Sequence, residues 1–431
     1  MNRILILGTG VSGLAAARLA RRLGLSASLF SEGDVPPSIV AEYGCAIGTW
    51  DPELLSGIDL VVASPGFSQR SAPVMDSLEW GIPIWSEIEF ASRHLTAPLV
   101  AITGTNGKTT VTEATSLMLE SSGLTAPAVG NIGSPLSDQV GEDVDVLVVE
   151  VSSFQLRFCE TFHPVAAGIT NVAVDHIDWH GSEQAYREAK GMIFANQTSG
   201  DLLVYDADDE GAATLASSAP GEKYPVSGRG LPDGGGGPVD GNLVLDDLTI
   251  PIRTLTSTDP AHLVNIAMAA VLAMRMGGNT EGVLGAASSF RPGRHRRELV
   301  AVVEGVNWVN DSKATNLHAA LASVRSFDRV ILIAGGLPKG ADVTGLAAEP
   351  NVVALIGIGT AGPALAEAAG SRGRVASSMG EAVSMAADAA TAGDTVLLAP
   401  AAASFDQYGS YQERGDDFTG LVNELRGEVV R

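Results

Sequence analysis

Ten residues, Ala101-Ile-Thr-Gly-Thr-Asn-Gly-Lys-Thr-Thr110, constrain the fold of this chain more than any others. The apolar run 98–102 reads as a buried parallel strand. Gly104 and Gly107 then let the backbone curl, and a helical pattern opens at Lys108 and runs to Glu120. A strand, a Gly-rich turn and a helix N-terminus form an anion cradle, because backbone N–H groups and the helix dipole both point at a phosphate. In that cradle Lys108 reaches the outer phosphates and the Thr109 hydroxyl ligates magnesium. Gly104, Thr105, Asn106, Gly107 and Thr110 complete the expected nucleotide contacts. The usual phosphate loop has a further glycine where this chain has Ile102, so an ordinary tight strand-to-helix turn stands as the plain alternative. Gly-Lys-Thr at the junction favours the phosphate, and with it a reaction that needs driving.

A length of 431 residues allows two to four domains with full cores. With 45% apolar and 18% charged residues the chain is globular. Fifty glycines and few aromatics suit an α/β protein with many tight turns. The formal charge is −23, and no Lys/Arg cluster supplies the basic face that a nucleic-acid binder needs. The densest basic run, Arg291-Pro-Gly-Arg-His-Arg-Arg297, is short and followed at once by Glu298. Two cysteines, Cys45 and Cys159, argue against a disulfide scaffold and for a reducing cytosol. No apolar run approaches the roughly 18 residues of a membrane span. The first eight residues read as a strand and not as a signal peptide. The expectation is a cytoplasmic protein with neither nucleic acid nor membrane as partner.

Three α/β segments follow along the chain. Residues 1–93 hold a strand at 3–7, a Gly8-Thr-Gly-Val-Ser-Gly13 turn, a helix at 14–23 and strands at 27–30 and 59–63, the last ending in Ser64-Pro-Gly66. A G-x-G-x-x-G turn alone is a weak signal, but here it sits in a full strand-turn-helix-strand unit, which favours a diphosphate site. The acidic residue such a site wants at the end of the second strand falls at Glu32, after Ser31. Residues 94–293 hold the Gly-Lys-Thr loop, strands at 144–151, 165–170 and 202–205, and helices at 182–196 and 260–276. Between them, the Gly/Pro-rich stretch 228–241 reads as a surface loop. Residues 294–431 form a third unit, with strands at 306–309, 329–334, 352–356 and 395–398 and a terminal helix after Ser410.

Polar groups gather where these strands end. The strand 144–149 runs into Glu150-Val-Ser-Ser-Phe-Gln-Leu156. A carboxylate there faces the same sheet edge as the phosphate loop and is able to hold magnesium. A helix-capping or surface role for Glu150 is the even alternative. The strand 165–170 ends in Asn171-Val-Ala-Val-Asp175-His176-Ile-Asp178, which offers His176 as a metal ligand or base against the commoner role of a satisfied structural histidine. Lys190 lies on a helix, where lysine is normally solvated. Asn131 sits in the turn Gly130-Asn-Ile-Gly133 and is able to present an amide to substrate. Asn310-Asp-Ser-Lys-Ala-Thr-Asn316 concentrates polar groups at a helix start. Lys339 and Ser404 follow other strands, and each is as readily an ordinary loop residue as a grip on a carboxylate.

Taken together, Thr103-Gly-Thr-Asn-Gly-Lys-Thr-Thr110, Gly130-Asn-Ile-Gly133, Glu150-Val-Ser-Ser-Phe-Gln-Leu156, Asp175-His176, Tyr186-Arg-Glu-Ala-Lys190, Asn310-Asp-Ser-Lys-Ala-Thr-Asn316 and Ser404-Phe-Asp-Gln407 resemble the Mur ligase family. The resemblance spans all three segments in order. It implies three domains: a Rossmann-like UDP-binding domain at 1–93, a central ATPase-like parallel sheet at 94–293, and a Rossmann-like amino-acid domain at 294–431. It implies ATP and Mg2+ as cofactors, UDP-N-acetylmuramoyl-L-alanine and D-glutamate as substrates, and a monomer. It assigns magnesium to Thr109, Glu150, His176 and a carbamate on Lys190. Val11 and Ser12 of the first turn, with Ser64 and Gly66, take the uridine diphosphate, and Asn131 and Ser152 contact the muramoyl substrate. Asn265, Arg296 and Asp311 contact the nucleotide, and Lys313, Thr315, Lys339, Ser404 and Tyr411 the D-glutamate.

Three positions depart from the family pattern: Ser31 with Glu32 replaces the acid on the uridine side, His262 replaces the first asparagine of an Asn-x-x-Asn pair, and Tyr411 replaces a phenylalanine. The implied reaction is an acyl-phosphate ligation. Two alternatives remain at this point: another ATP-dependent amide ligase of the Mur or folylpolyglutamate type, and an NAD-dependent oxidoreductase built on the Gly8 turn, which leaves the Gly104 loop unexplained.

Overall fold

A computed structural model of the chain describes residues 2–338, 340 and 342–429. The chain divides into two compact units, residues 1–290 and 291–431.

The first unit contains two parallel sheets. Strands β1 (Arg3–Leu7), β2 (Ser26–Ser31), β3 (Cys45–Ile47), β4 (Leu60–Ala63) and β5 (Ile84–Ser86) lie in the order β3-β2-β1-β4-β5. Strands β6 (Leu99–Thr103), β7 (Ala128–Gly130), β8 (Leu147–Glu150), β9 (Ala166–Ile169), β10 (Leu202–Asp206) and β11 (Glu222–Val226) lie in the order β11-β10-β9-β6-β8-β7. Helices cover both faces, so the strands are near-continuous apolar runs; Val100, Ala101 and Ile102 are wholly buried. Strand order reverses beside β1 in one sheet and beside β6 in the other. Open α/β sheets hold ligands outside the carboxyl ends of their strands at such reversals. The Gly8 turn leaves β1 and the Gly104 loop leaves β6, so each candidate cradle stands at a reversal.

The two sheets pack into one unit through a shared apolar cluster that includes Ile4, Trp85 and Phe90 from the first and Leu99, Val129 and Leu136 from the second. The short helix Glu87–Ser92 sits at the junction. Its buried Glu89 accepts hydrogen bonds from the backbone N–H groups of Thr161 and Phe162 and from the Arg93 guanidinium. Across the same junction Arg18 forms a forked pair with Asp138, and Arg22 donates to the Ser137 carbonyl at 2.6 Å.

The stretch 228–241 is not a simple surface loop. Its last part forms β12 (Gly237–Val239), which joins β13 (Asn242–Leu245) and β14 (Leu248–Pro251) in an antiparallel meander. Two of its glycines stand where a side chain would clash. A Cβ on Gly237 would lie 2.0 Å from the Gly230 carbonyl oxygen, and one on Gly236 2.3 Å from Leu245.

The second unit carries β15 (Glu298–Val303), β16 (Val306–Asn310), β17 (Val330–Gly335), β18 (Val352–Ile358), β19 (Gly373–Val375) and β20 (Thr395–Leu398), in the order β15-β16-β20-β17-β18-β19. Only the β15–β16 pair is antiparallel. The terminal helix spans Tyr411–Val429.

Candidate active site

The phosphate loop is shaped by two glycines in the left-handed region, Gly104 at φ +148° and Gly107 at +84°. A Cβ on Gly104 would fall 1.9 Å from Thr170 Oγ1, and one on Gly107 3.0 Å from Asn265 Oδ1. The loop therefore runs against the end of β9 on one side and against Asn265, on the helix Pro260–Arg275, on the other. Neighbouring polar groups hold it rigid. The Thr170 hydroxyl and the Asn171 amide both donate to the Asn106 carbonyl, and the Asn106 N–H donates to Asn171 Oδ1 at 2.8 Å. The hydroxyls of Thr105 and Tyr186 lie 2.9 Å apart. Lys108 folds back over the loop, with its ammonium on the carbonyls of Gly104 at 2.8 Å and Thr105 at 3.0 Å. Thr109 and Thr110 follow in the first turn of the helix Lys108–Ser121.

Lys190 is not the solvated helical lysine that its surroundings in the sequence suggest. It is 1% exposed, donates to the Gly104 carbonyl at 2.7 Å and rests on the Tyr186 ring. Burial, reinforced by the charge of Lys108, pushes its pKa well below the usual lysine value. The helix Glu183–Gly191 carries it inward, capped by Ser182.

Glu150, at the end of β8, is 2% exposed. Its Oε1 accepts from Asn131 Nδ2 at 2.7 Å, and its Oε2 has no hydrogen-bond partner among the described residues. A buried carboxylate oxygen so left is costly, and a bound cation satisfies it. His176 opens the short helix Ile177–His180 in the left-handed conformation, with its ring edge-on to Phe154 and its Nε2 3.6 Å from Asp175. Among the described residues no three His, Cys, Asp or Glu side chains converge as a metal centre. Glu150, with its unpartnered oxygen, is the side chain here that could hold a magnesium ion, an ion that commonly keeps phosphate oxygens and water as its other ligands. Ser152 is committed to a capping box with Gln155.

At the other reversal in this unit, Gly10 caps the helix Val11–Arg22, with Val11 exposed and Ser12 half-buried beside it. Ser64 lies against this turn: its N–H donates to Leu7, and its Oγ would be 2.8 Å from a Cβ on Gly8. That Oγ is buried with no hydrogen-bond partner among the described residues, while Gly66 is exposed. The first turn and Ser64 to Gly66 thus share one edge.

In the second unit, Asp311, Lys313 and Thr315 occupy the loop after β16. Asp311 is buried and accepts from the Arg297 N–H, and burial raises its pKa. Arg296 is half-buried on the preceding turn. The Lys313 ammonium sits 4.2 Å from the centre of the Tyr411 ring. Ser404 is buried in the loop after β20, and Lys339 lies outside the described residues. Arg414, which the sequence reading passes over, ties these loops together from a site that is 1% exposed. It donates to Ser312 Oγ, to the Ser312 carbonyl and to the Ala402 carbonyl. In sequence it sits among the charges of a terminal helix and gives no sign of burial. Thr170, Asn171 and Tyr186, which brace the phosphate loop, are likewise absent from the sequence-derived site.

This phosphate loop, flanked by a buried carboxylate and a buried lysine, defines a nucleotide-dependent ligase of the Mur type, and comparison with known proteins agrees. Residues 102–235 match the Mur ligase middle domain, and residues 295–402 match the Mur ligase glutamate ligase domain. The chain is 39% identical to the UDP-N-acetylmuramoylalanine–D-glutamate ligase of Frankia casuarinae, covering 98% of this chain and 94% of that protein. It is 38% identical to the same-named protein of Myxococcus xanthus, covering 98% of both. Among solved structures, a pseudomurein peptide ligase type C from Methanothermus fervidus shares the fold, with a TM-score of 0.60 at 17% identity over 99% of this chain and 100% of that one. The chain belongs to the Mur ligase family. The relatives that match it end to end carry the name of that family's D-glutamate ligases, and the oxidoreductase alternative falls away.

Proposed function

We propose that the protein joins D-glutamate to UDP-N-acetylmuramoyl-L-alanine with consumption of ATP, in peptidoglycan precursor synthesis. The end-to-end likeness to ligases of that name supports the substrate pair. The observation that carries the chemistry is the convergence of Lys108 and Lys190 on the Gly104 carbonyl, in a unit where Glu150 keeps a buried oxygen unpartnered among the described residues.

Joining a carboxylate to an amine is uphill in water, so the carboxylate is activated first. The alanyl carboxylate attacks the γ-phosphorus of ATP, forming an acyl phosphate and releasing ADP. The D-glutamate amine then attacks the acyl carbon, phosphate leaves and the amide remains. The first step brings two anions together. Lys108 moves from the loop carbonyls onto the outer phosphates, and the loop N–H groups hold the inner ones. Magnesium, when bound through Glu150, His176 and Thr109, supplies further charge neutralisation. Burial and the charge of Lys108 lower the Lys190 pKa and so favour its neutral amine, the form that reacts with carbon dioxide to give a carbamate and a proton. That puts an anion suited to a second magnesium in place of the amine. Asn131 holds Glu150 in place. On the sugar-nucleotide side, the helix N-terminus at Val11 and Ser12 and the Ser64 hydroxyl receive the diphosphate. In the second unit Lys313 and Ser404 receive the carboxylates of D-glutamate. The reading places the reaction in the cytoplasm, carried out by a monomer.

The test is phosphate release from ATP over a panel of amino acids with UDP-N-acetylmuramoyl-L-alanine. Release that requires both the sugar nucleotide and D-glutamate supports the proposal. Release driven by a different amino acid reassigns the specificity.

A further inference from the structure

The first unit contains a second set of contacts that the ligation chemistry does not use. The loop after β4, which the proposed function assigns to the uridine diphosphate, is fastened directly to the turn that carries His176. Trp179 Nε1 donates to the Pro65 carbonyl at 3.0 Å, Gln69 donates to the His180 carbonyl at 2.8 Å, and Arg70 donates to the Asp178 carbonyl. The turn is held as well by His180 Nε2, 2.9 Å from Ser153 Oγ. It is a four-residue helix bounded by left-handed residues at both ends, His176 at φ +54° and Gly181 at φ +85°. A non-glycine residue in that region holds its place only where surrounding structure imposes it.

That surrounding structure is an aromatic stack with Trp179 in the middle. The Trp179 ring packs on Phe154 at 4.9 Å, on His180 at 4.5 Å and on Phe158 at 6.2 Å. Phe154 in turn packs on His176 at 4.7 Å. His180 meets the Tyr186 ring at 5.3 Å, and the Tyr186 hydroxyl lies 2.9 Å from Thr105 Oγ1 in the phosphate loop. A chain of direct contacts thus runs from Pro65 through Trp179 to both His176 and Thr105.

We propose that Trp179 is a positioning residue that couples the sugar-nucleotide loop to the phosphate loop, so that occupancy of either site tightens binding at the other. The proposal rests on the assignment of these two loops under the proposed function. Whatever orders Pro65 to Arg70 also orders the turn, because Trp179, Gln69 and Arg70 join them. The turn then sets the His176 ring through Phe154. Coupling of this kind is reciprocal by thermodynamic necessity and typically amounts to about 5- to 150-fold in affinity.

Calorimetric titration of the full chain tests it. Mg-ADP is titrated with and without saturating UDP-N-acetylmuramoyl-L-alanine, and the reverse titration is also run. Wild type is expected to show the same enhancement, at least about fivefold, in both directions. Trp179→Phe keeps an aromatic ring and removes the bond to Pro65. It is expected to bind each ligand alone within about twofold of wild type while the enhancement falls toward one. Gln69→Ala, at the rim of the contact, is expected to lower the enhancement partly. A purely structural tryptophan would weaken the single affinities and leave their ratio unchanged, and that result overturns the proposal. An enhancement of one in wild type also overturns it. If both ligands bind and turn over but the enhancement survives Trp179→Phe, the coupling role fails and the ligase reading stands. If the sugar nucleotide does not bind at all, both fail.

Discussion

Lys190 and Lys108 hold the same atom: each donates a hydrogen bond to the carbonyl oxygen of Gly104, at 2.7 and 2.8 Å. Burial, reinforced by the charge of Lys108, disfavours a second ammonium there and holds the Lys190 pKa well below the usual lysine value. The Lys108 cation beside the loop N–H groups suits an anion, which under the proposed function is the phosphate of a nucleotide.

Lys108→Ala removes the group that the proposed function sets on the outer phosphates. Turnover is expected to fall by about 10²- to 10³-fold or more, the range seen when one preorganised electrostatic contact is lost. The melting temperature should stay within a few degrees of wild type, because the Lys108 ammonium bonds to carbonyls of its own loop. Steady-state phosphate release alongside thermal unfolding checks both halves.

Lys190→Arg brings a permanent positive charge and cannot take up carbon dioxide as a carbamate. We expect it to lose at least about 100-fold in turnover. Wild type exposed to 13C-labelled bicarbonate should show a carbamate carbon signal that is missing in the variant. A signal equal in both proteins would place the carbamate elsewhere.

Gly104→Ala forces a Cβ to within 1.9 Å of Thr170 Oγ1 at a φ of +148°. Strain of this kind costs about 1–3 kcal/mol from the backbone, with overpacking in addition. Urea unfolding should show a loss of a few kcal/mol together with loss of nucleotide binding. Gly10→Ala is the control: a Cβ there meets nothing within 4 Å, and stability should change by no more than about 1 kcal/mol.

Glu87, wholly buried where the two sheets of the first unit meet, accepts from the Ser137 N–H, and its second oxygen has no hydrogen-bond partner among the described residues. Burial pushes its pKa from 4.5 up to about 7. The folded state therefore holds a proton that the unfolded chain has lost. This stabilisation is complete below pH 4.5 and disappears as pH rises through about 7. Its ceiling is about 3 kcal/mol, at 1.36 kcal/mol per unit of pKa. Glu87→Gln mimics the protonated form, so the fall in urea midpoint between about pH 5 and 8 should flatten in that variant.

Much of the architecture is legible in the sequence because parallel strands buried on both faces leave continuous apolar runs. Val100 to Ile102 and Leu397 with Leu398 are wholly buried, as such runs predict. The Gly-Lys-Thr loop and Glu150 are legible for a related reason: polar groups that directly follow an apolar strand stand at its carboxyl end. The meander at 237–251 is hidden because Gly236 and Gly237 look like loop composition when they answer crowding by Leu245 and the Gly230 carbonyl. Arg414 and Lys190 are hidden because a charge on a helix carries no local mark of burial; only tertiary packing turns them inward. Trp179 is hidden for the same reason, since its partners Pro65 and Phe154 are distant in sequence.

The central claim is that the alanyl carboxylate is activated by transfer of the γ-phosphoryl group. UDP-N-acetylmuramoyl-L-alanine carrying 18O in both carboxylate oxygens, turned over with ATP and D-glutamate, tests it by mass spectrometry of the products. The account predicts one 18O in each released phosphate and one retained in the amide. Unlabelled phosphate alongside amide formation would contradict it.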